Sequence, residues 1–158
     1  MQAGDQARLV DLLDRLVRDG GVLPRLPAAV FEIIGHVVPL VAVEIGITRA
    51  GGEILLTHRR DRQWNGWHLP GGFLGVRETL PAACNRIAGR ELGVDVTLHR
   101  VVDIFCWPDH PLGSVLSVVC HCEAGGVPRT GEWCKGLRES MIRYHAEFAA
   151  RCLANASK

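Results

Sequence analysis

The run Gly71-Gly72-Phe73-Leu74-Gly75-Val76-Arg77-Glu78, continuing to Arg86-Ile87-Ala88-Gly89-Arg90-Glu91-Leu92-Gly93-Val94, governs the reading of this chain. Pro70-Gly71-Gly72 is a strong turn signal. Thr79 is suited to cap a helix, Pro81 is tolerated in its first turn, and Gly93 suits the residue just past its end. Leu80, Ala83, Cys84, Ile87, Ala88 and Leu92 recur at helical spacing and predict one buried stripe. At about 100° per residue, Glu91 points roughly 20° from Leu80 and lies inside that stripe. A carboxylate on an apolar face needs a partner. Beside a glycine loop a divalent cation can be that partner. The alternative is a rim position paired with a flanking arginine, Arg86 or Arg90.

Outward from this segment the pattern alternates between strand and helix. Residues 38–48 and 53–58 are β-rich runs around Ala50-Gly51-Gly52, a hairpin signal. Residues 96–107 and 114–122 form a later pair. Glu44 interrupts the first run, either facing outward or lining a cleft. Helices are predicted over 6–18, 28–34 and 140–153 from apolar residues at helical spacing. Mixed strands with a central and a terminal helix predict an α+β fold, an α/β/α sandwich around a mixed sheet. Residues 1–37 read as an N-terminal helical extension and 38–158 as one compact unit. The extension would cover a sheet edge or join two copies, so a homodimer is compatible with the pattern.

Bulk properties narrow the function. The 158 residues suffice for one sizeable core, with 47% hydrophobic and 22% charged residues. A formal net charge of +1 leaves no footprint of nonspecific nucleic-acid binding. No apolar run reaches the roughly 18 residues of a membrane span, and Met1 to Asp5 lacks a signal pattern, so a cytoplasmic protein is expected. Six cysteines without a secretory signal predict buried thiols rather than disulfides. In Cys120-His121-Cys122 a strand would put the cysteines on one face and His121 on the other, which disfavours a zinc site.

The governing segment resembles the box of the Nudix hydrolase family: glycine, five residues, glutamate, seven residues, then Arg-Glu-apolar-any-Glu-Glu-any-Gly-apolar. Gly72, Glu78, Arg86, Ala88, Glu91, Gly93 and Val94 match it in register, and Gly66-Trp67-His68-Leu69-Pro70-Gly71 is similar to the family's run into the box. Ile87 and Arg90 stand where the box has metal-binding glutamates. A similar loss occurs in GDP-mannose mannosyl hydrolases, which keep one metal and attack the sugar's anomeric carbon. Those enzymes have arginine where Phe73 stands, and a late-loop histidine near a position where this chain has Gly131-Glu132-Trp133-Cys134.

The resemblance implies a hydrolase dependent on Mg²⁺ or Mn²⁺ that acts on a small molecule, a nucleoside diphosphate linked to another moiety such as a sugar. The alternative is a catalytically inactive nucleotide-binding module. The implied metal ligands are Glu91, the main-chain carbonyl of Gly72, and Glu132, and Glu132 could instead serve as the base for water. Arg59 and Arg62 stand at positions basic in many relatives and would grip phosphate oxygens. Arg86 would hold the box loop by bonding Glu78. His121, Glu123 and Cys134 are other candidates near the reaction, while Trp64 and Trp67 could stack on a base or seal the cleft.

Overall fold

A computed structural model describes residues 2–156. Helices α1 (Ala3–Arg18) and α2 (Ala28–Val37) come first, followed by strands β1 (Leu40–Arg49), β2 (Glu53–Arg60), β3 (Asn65–His68) and β4 (Gly71–Phe73). Helix α3 (Leu80–Glu91), strands β5 (Val96–His110), β6 (Gly113–Ala124) and β7 (Glu132–Lys135), and helix α4 (His145–Asn155) complete the order. The seven strands form one sheet in the order β3-β2-β1-β6-β5, with β4 added to β1 and β7 to β2. The sheet is mixed, because β1 and β6 run parallel while the other pairs are antiparallel.

Apolar side chains fill both faces of the sheet. On one face Val43, Ile45 and Ile47 of β1 pack with Cys84, Ile87 and Ala88 of α3 and with Cys120 and Cys122 of β6. On the other, Leu40 and Ala42 pack with Trp107, Val119 and, from α4, Phe148 and Cys152. The period of two along β1 thus sends alternate residues to α3 and to α4. Gly46 falls in the α4-facing register, and a Cβ there would overlap Cys152 Sγ, so glycine lets α4 lie close on β1. The α+β sandwich expected from the pattern is present, and all six cysteines are free.

The termini of several elements differ from the sequence expectation. The terminal helix begins at His145 rather than 140. Trp67 N–H donates to Ser140 O (3.1 Å) and Ile142 N–H to Trp67 O (2.9 Å), so this stretch pairs with β3 as a bridge. Tyr144 then takes a left-handed conformation (φ 68°) before the helix starts. The short strands β3, β4 and β7 lie outside the runs that the sequence pattern predicts. Helix α1 forms with its apolar stripe exposed at Leu9, Val10, Leu12, Leu13 and Val17. None of the helices in the described residues is long and apolar enough to cross a membrane.

Candidate active site

Helix α3 starts as its sequence indicates, with the Thr79 hydroxyl accepting from Ala82 N–H at 3.4 Å. Its apolar stripe is buried, and Ile87 is 0% exposed. The loop ahead of it is tied to the helix by one residue. Arg86 donates from Nε to Glu78 Oε1 (2.6 Å), and from Nη2 to Glu78 Oε2 (2.7 Å) and the Phe73 carbonyl (2.9 Å). Glu78 Oε2 also accepts from Gly75 N–H at 2.8 Å. The Arg86 guanidinium holds the Glu78 carboxyl below the usual carboxylate range.

Glu91 ends this helix at the wall of a cavity of about 850 Å³. Its side chain is 22% exposed. Oε2 accepts from Gly71 N–H at 3.3 Å, and Oε1 from Arg90 Nη2 at 2.6 Å. The same Arg90 nitrogen donates to the Gly71 carbonyl at 3.1 Å. Glu91 is therefore both a cavity acid and an arginine-paired one. The main-chain carbonyl turned to this pair belongs to Gly71; Gly72 lines the cavity one residue later, paired in register with Val43.

A second acid faces the same space. Glu44 of β1 is 6% exposed and lines the cavity. Ser117 Oγ donates to its Oε1 at 3.2 Å, and Trp107 Nε1–H donates to Ser117 Oγ at 3.1 Å. Burial pushes the Glu44 carboxyl up to about 8; the Ser117 hydrogen bond opposes that shift and the Glu91 charge adds to it. At neutral pH Glu44 is therefore mostly protonated. A lone acid in an apolar strand was the only sequence signal for it.

The floor carries two neutral imidazoles. Leu69 N–H donates to His145 Nδ1 (3.3 Å), leaving the ring proton on Nε2. Burial, and then the neighbouring His68, push His145 down to about 3. His68 Nε2 meets Thr57 Oγ1 at 3.1 Å, and burial lowers its pKa as well. Trp64, Trp107 and His110 form an aromatic side, with Trp64 edge-on to Trp107 at 6.3 Å between centroids. Asp61 Oδ1 sets Trp64 by accepting from its N–H at 2.9 Å. A further part of the lining comes from the extension: Leu23, Pro24, Leu26, Ala28 and Phe31. Val76 N–H donates to Leu23 O (3.1 Å), and Phe31 meets Phe73 edge-on at 5.0 Å. Spacing showed α2 but not that this segment would become a cavity wall.

Arg59 lines the cavity, its Nε on Asp61, whereas Arg62 is not among the lining residues. Glu132 opens β7, is 57% exposed, and pairs with Arg138 at 2.5 Å outside the lining. Trp67 stacks under the Arg138 guanidinium at 4.3 Å. Cys134 Sγ is bonded by Arg138 Nε at 3.0 Å. On the sheet away from the cavity His121 bonds Thr48 at 2.8 Å, and Glu123 meets His99 at 3.0 Å.

The donor chemistry bears on metal binding. Among the described residues no group of three or more His, Cys, Asp or Glu could hold a metal ion. Mg²⁺ can be held by one or two carboxylates when substrate phosphates and water complete its shell. These residues therefore fit a single ion held by Glu91 and do not fit a cluster of ions.

The model of the NUDIX domain matches residues 38–140. The low-salt glycan biosynthesis protein Agl8 of Haloferax volcanii is 42% identical over 81 residues, 51% of this chain and 52% of that protein. An ADP-ribose pyrophosphatase of Methanocaldococcus jannaschii is 33% identical over 97 residues, 60% of this chain and 57% of that one. The chain thus spans about half the length of the curated relatives it matches. Among solved structures, an ADP-ribose pyrophosphatase from Streptococcus suis superposes with a TM-score of 0.61 at 22% identity, over 77% of this chain and 94% of that one. A MutT NUDIX hydrolase from Burkholderia pseudomallei gives 0.62 at 23% identity, over 72% and 98%. With its box in register, its mixed sheet and a family match over most of its length, the chain belongs to the Nudix family.

Proposed function

We propose that this Nudix protein hydrolyses a nucleoside diphosphate joined to a second group such as a sugar. The observation that carries the reading is the convergence of Glu91, Glu44 and Arg90 on one cavity of about 850 Å³ with an aromatic side. That volume lies within the roughly 300–1,000 Å³ typical of small-molecule sites. A relative named as an ADP-ribose pyrophosphatase supports the substrate class.

Each residue has a task in this reading. Arg90 and Arg59 bind diphosphate oxygens, which guanidinium groups match bidentately. Trp64 and Trp107 face the base or sugar and exclude water. Glu44 holds a proton that it can give to a departing oxygen, and Ser117 and Trp107 fix its orientation. Glu91 would hold one Mg²⁺ or Mn²⁺, which supplies charge neutralisation to the diphosphate. Residues 1–37 act as an extension that completes the cavity, and 38–158 as the Nudix unit.

The test is a panel of ADP-ribose, nucleotide sugars and dinucleotides with Mg²⁺ or Mn²⁺, with products separated chromatographically. Turnover of at least one is expected, together with its loss in Glu91→Gln. No turnover of any by folded protein overturns the reading. The Arg90–Glu91 ion pair favours a second reading, a nucleotide-binding module without catalysis. That reading expects Glu91→Gln to keep nucleotide affinity in the absence of hydrolysis.

A further inference from the structure

Arg90 has an arrangement that helix packing does not require. Its side chain is 56% exposed, yet one nitrogen, Nη2, is shared between two acceptors. Those acceptors, the Gly71 carbonyl and Glu91 Oε1, are oxygens of the kind a hard cation takes. Arginine carries five N–H donors in a planar fork. Among the described residues only Nη2 is engaged, so the Nε and Nη1 hydrogens keep their capacity for an incoming acceptor. Arg90 also lines the cavity beside Glu44 and Arg59.

The glycine loop leaves room for this guanidinium. A Cβ on Gly72 would stand 3.1 Å from Nη2. The charge balance points the same way. An acid in place of Arg90 would stand beside the Glu91 carboxylate and leave that end of the cavity anionic until a cation entered. With arginine there, the Glu91 carboxylate is already neutralised before any ion or ligand binds. Arg59 is the other cation of the lining and is partly committed to Asp61.

We propose that Arg90 is the resident cation of the cavity: its guanidinium, seated between the Gly71 carbonyl and the Glu91 carboxylate, grips diphosphate oxygens without a divalent ion. The inference rests on the reading of the cavity as a diphosphate site, but it does not require that the diphosphate be cleaved. Metal in this chain is therefore an addition to phosphate binding and not its precondition. Restoring an acid at the position would reverse that order, making binding wait for a cation.

ADP is the probe, titrated into the full chain by calorimetry, first with EDTA and then with Mg²⁺. The wild-type chain is expected to bind ADP in EDTA, within about tenfold of its affinity in Mg²⁺. Arg90→Gln is expected to weaken binding in EDTA by about tenfold or more, through loss of a charge-assisted contact. Arg90→Lys, which keeps the charge but not the fork, should fall between the two. Arg90→Glu should bind ADP only when Mg²⁺ is present. Each variant's melting temperature, expected to stay near wild type at this exposed position, separates a lost contact from a lost fold. Absence of ADP binding to the wild-type chain in EDTA overturns the proposal, as does undiminished binding in EDTA by folded Arg90→Gln. Hydrolysis of a panel compound without metal-free ADP binding would remove Arg90's role and leave the enzymatic reading intact. Metal-free binding lost in Arg90→Gln, without hydrolysis of any compound, would do the opposite.

Discussion

Ser117 pairs in register with Ala42, two residues before Glu44 on the neighbouring parallel strand, and its hydroxyl donates across to Glu44 Oε1 at 3.2 Å inside the protein. Trp107 on the next strand supplies the hydrogen bond that occupies the serine oxygen. A buried acid served by a single neutral donor keeps its proton, and its carboxyl titrates near 8 rather than at its ordinary 4.5.

Glu44 should therefore make stability fall as pH rises. The unfolded chain loses this proton near 4.5 and the folded chain near 8, so between those values the folded state binds the extra proton. The contribution is fully present below about 4.5 and lost by about 8. Glu44→Gln keeps the shape of the protonated acid and removes the titration. Thermal melts in EDTA should show the variant gaining on wild type steadily from pH 5 to about 8, by on the order of a few kcal/mol. A constant difference across that window would mean that Glu44 is already charged. Under saturating substrate the same variant should lose turnover if its proton reaches the departing oxygen.

Gly71 and Gly72 look equivalent in sequence and should not be equivalent to substitution. A Cβ on Gly71 would overlap Glu44 Oε2, an atom held in place by burial, whereas one on Gly72 meets the end of the exposed Arg90 side chain at 3.1 Å. Gly71→Ala is expected to cost about 1–3 kcal/mol through overpacking. Gly72→Ala should cost well under 1 kcal/mol, roughly the scale of an ordinary surface change. Urea unfolding of the pair measures the difference, and equal losses would mean that Glu44 can swing aside.

Much of this arrangement is legible in the sequence, but unevenly. Helix α3, its Thr79 cap and the inward turn of Glu91 follow from spacing, because a twelve-residue amphipathic helix carries a strong period. Strand β4 has only three residues, two of them glycine, and no period can show through it. Glu44 stood out as an acid in an apolar run, yet its role depends on the lateral pairing of β1 with β6 and of β6 with β5. That pairing passes through register shifts near Trp107 which no local pattern encodes. The wall formed by Leu23 and Phe31 is a tertiary contact of the same kind, since an apolar side chain signals that it will be buried but not against what.

Ile87 gives the sharpest separation between sequence resemblance and physical role. A glutamate there would restore the family's acid on paper. In this fold the side chain is fully buried among Val43, Cys84 and Cys120. Ile87→Glu should therefore unfold the protein or lower its stability by about 4 kcal/mol or more, through lost packing and an unpaired buried charge. It should not create a second metal position. Circular dichroism with a thermal melt decides, and a stable variant with added Mn²⁺ affinity would show that the helix can rotate this residue to the cavity.

The extension divides into a part that should matter for substrate and a part that should not. The apolar stripe of α1 is exposed, while the segment after it reaches the box loop through Leu23 and Phe31. Removal of residues 1–20 should leave kcat/KM within about twofold, because no lining residue is lost. Phe31→Ala opens the wall beside Phe73 and should raise KM by about tenfold while kcat changes less, the signature of lost uniform binding. If the truncation alone abolished activity, α1 would be part of the functional unit, and its exposed stripe would then have to be covered in the active protein. If Phe31→Ala instead lowered kcat at constant KM, the wall would be acting on the reacting groups and not on the substrate's grip.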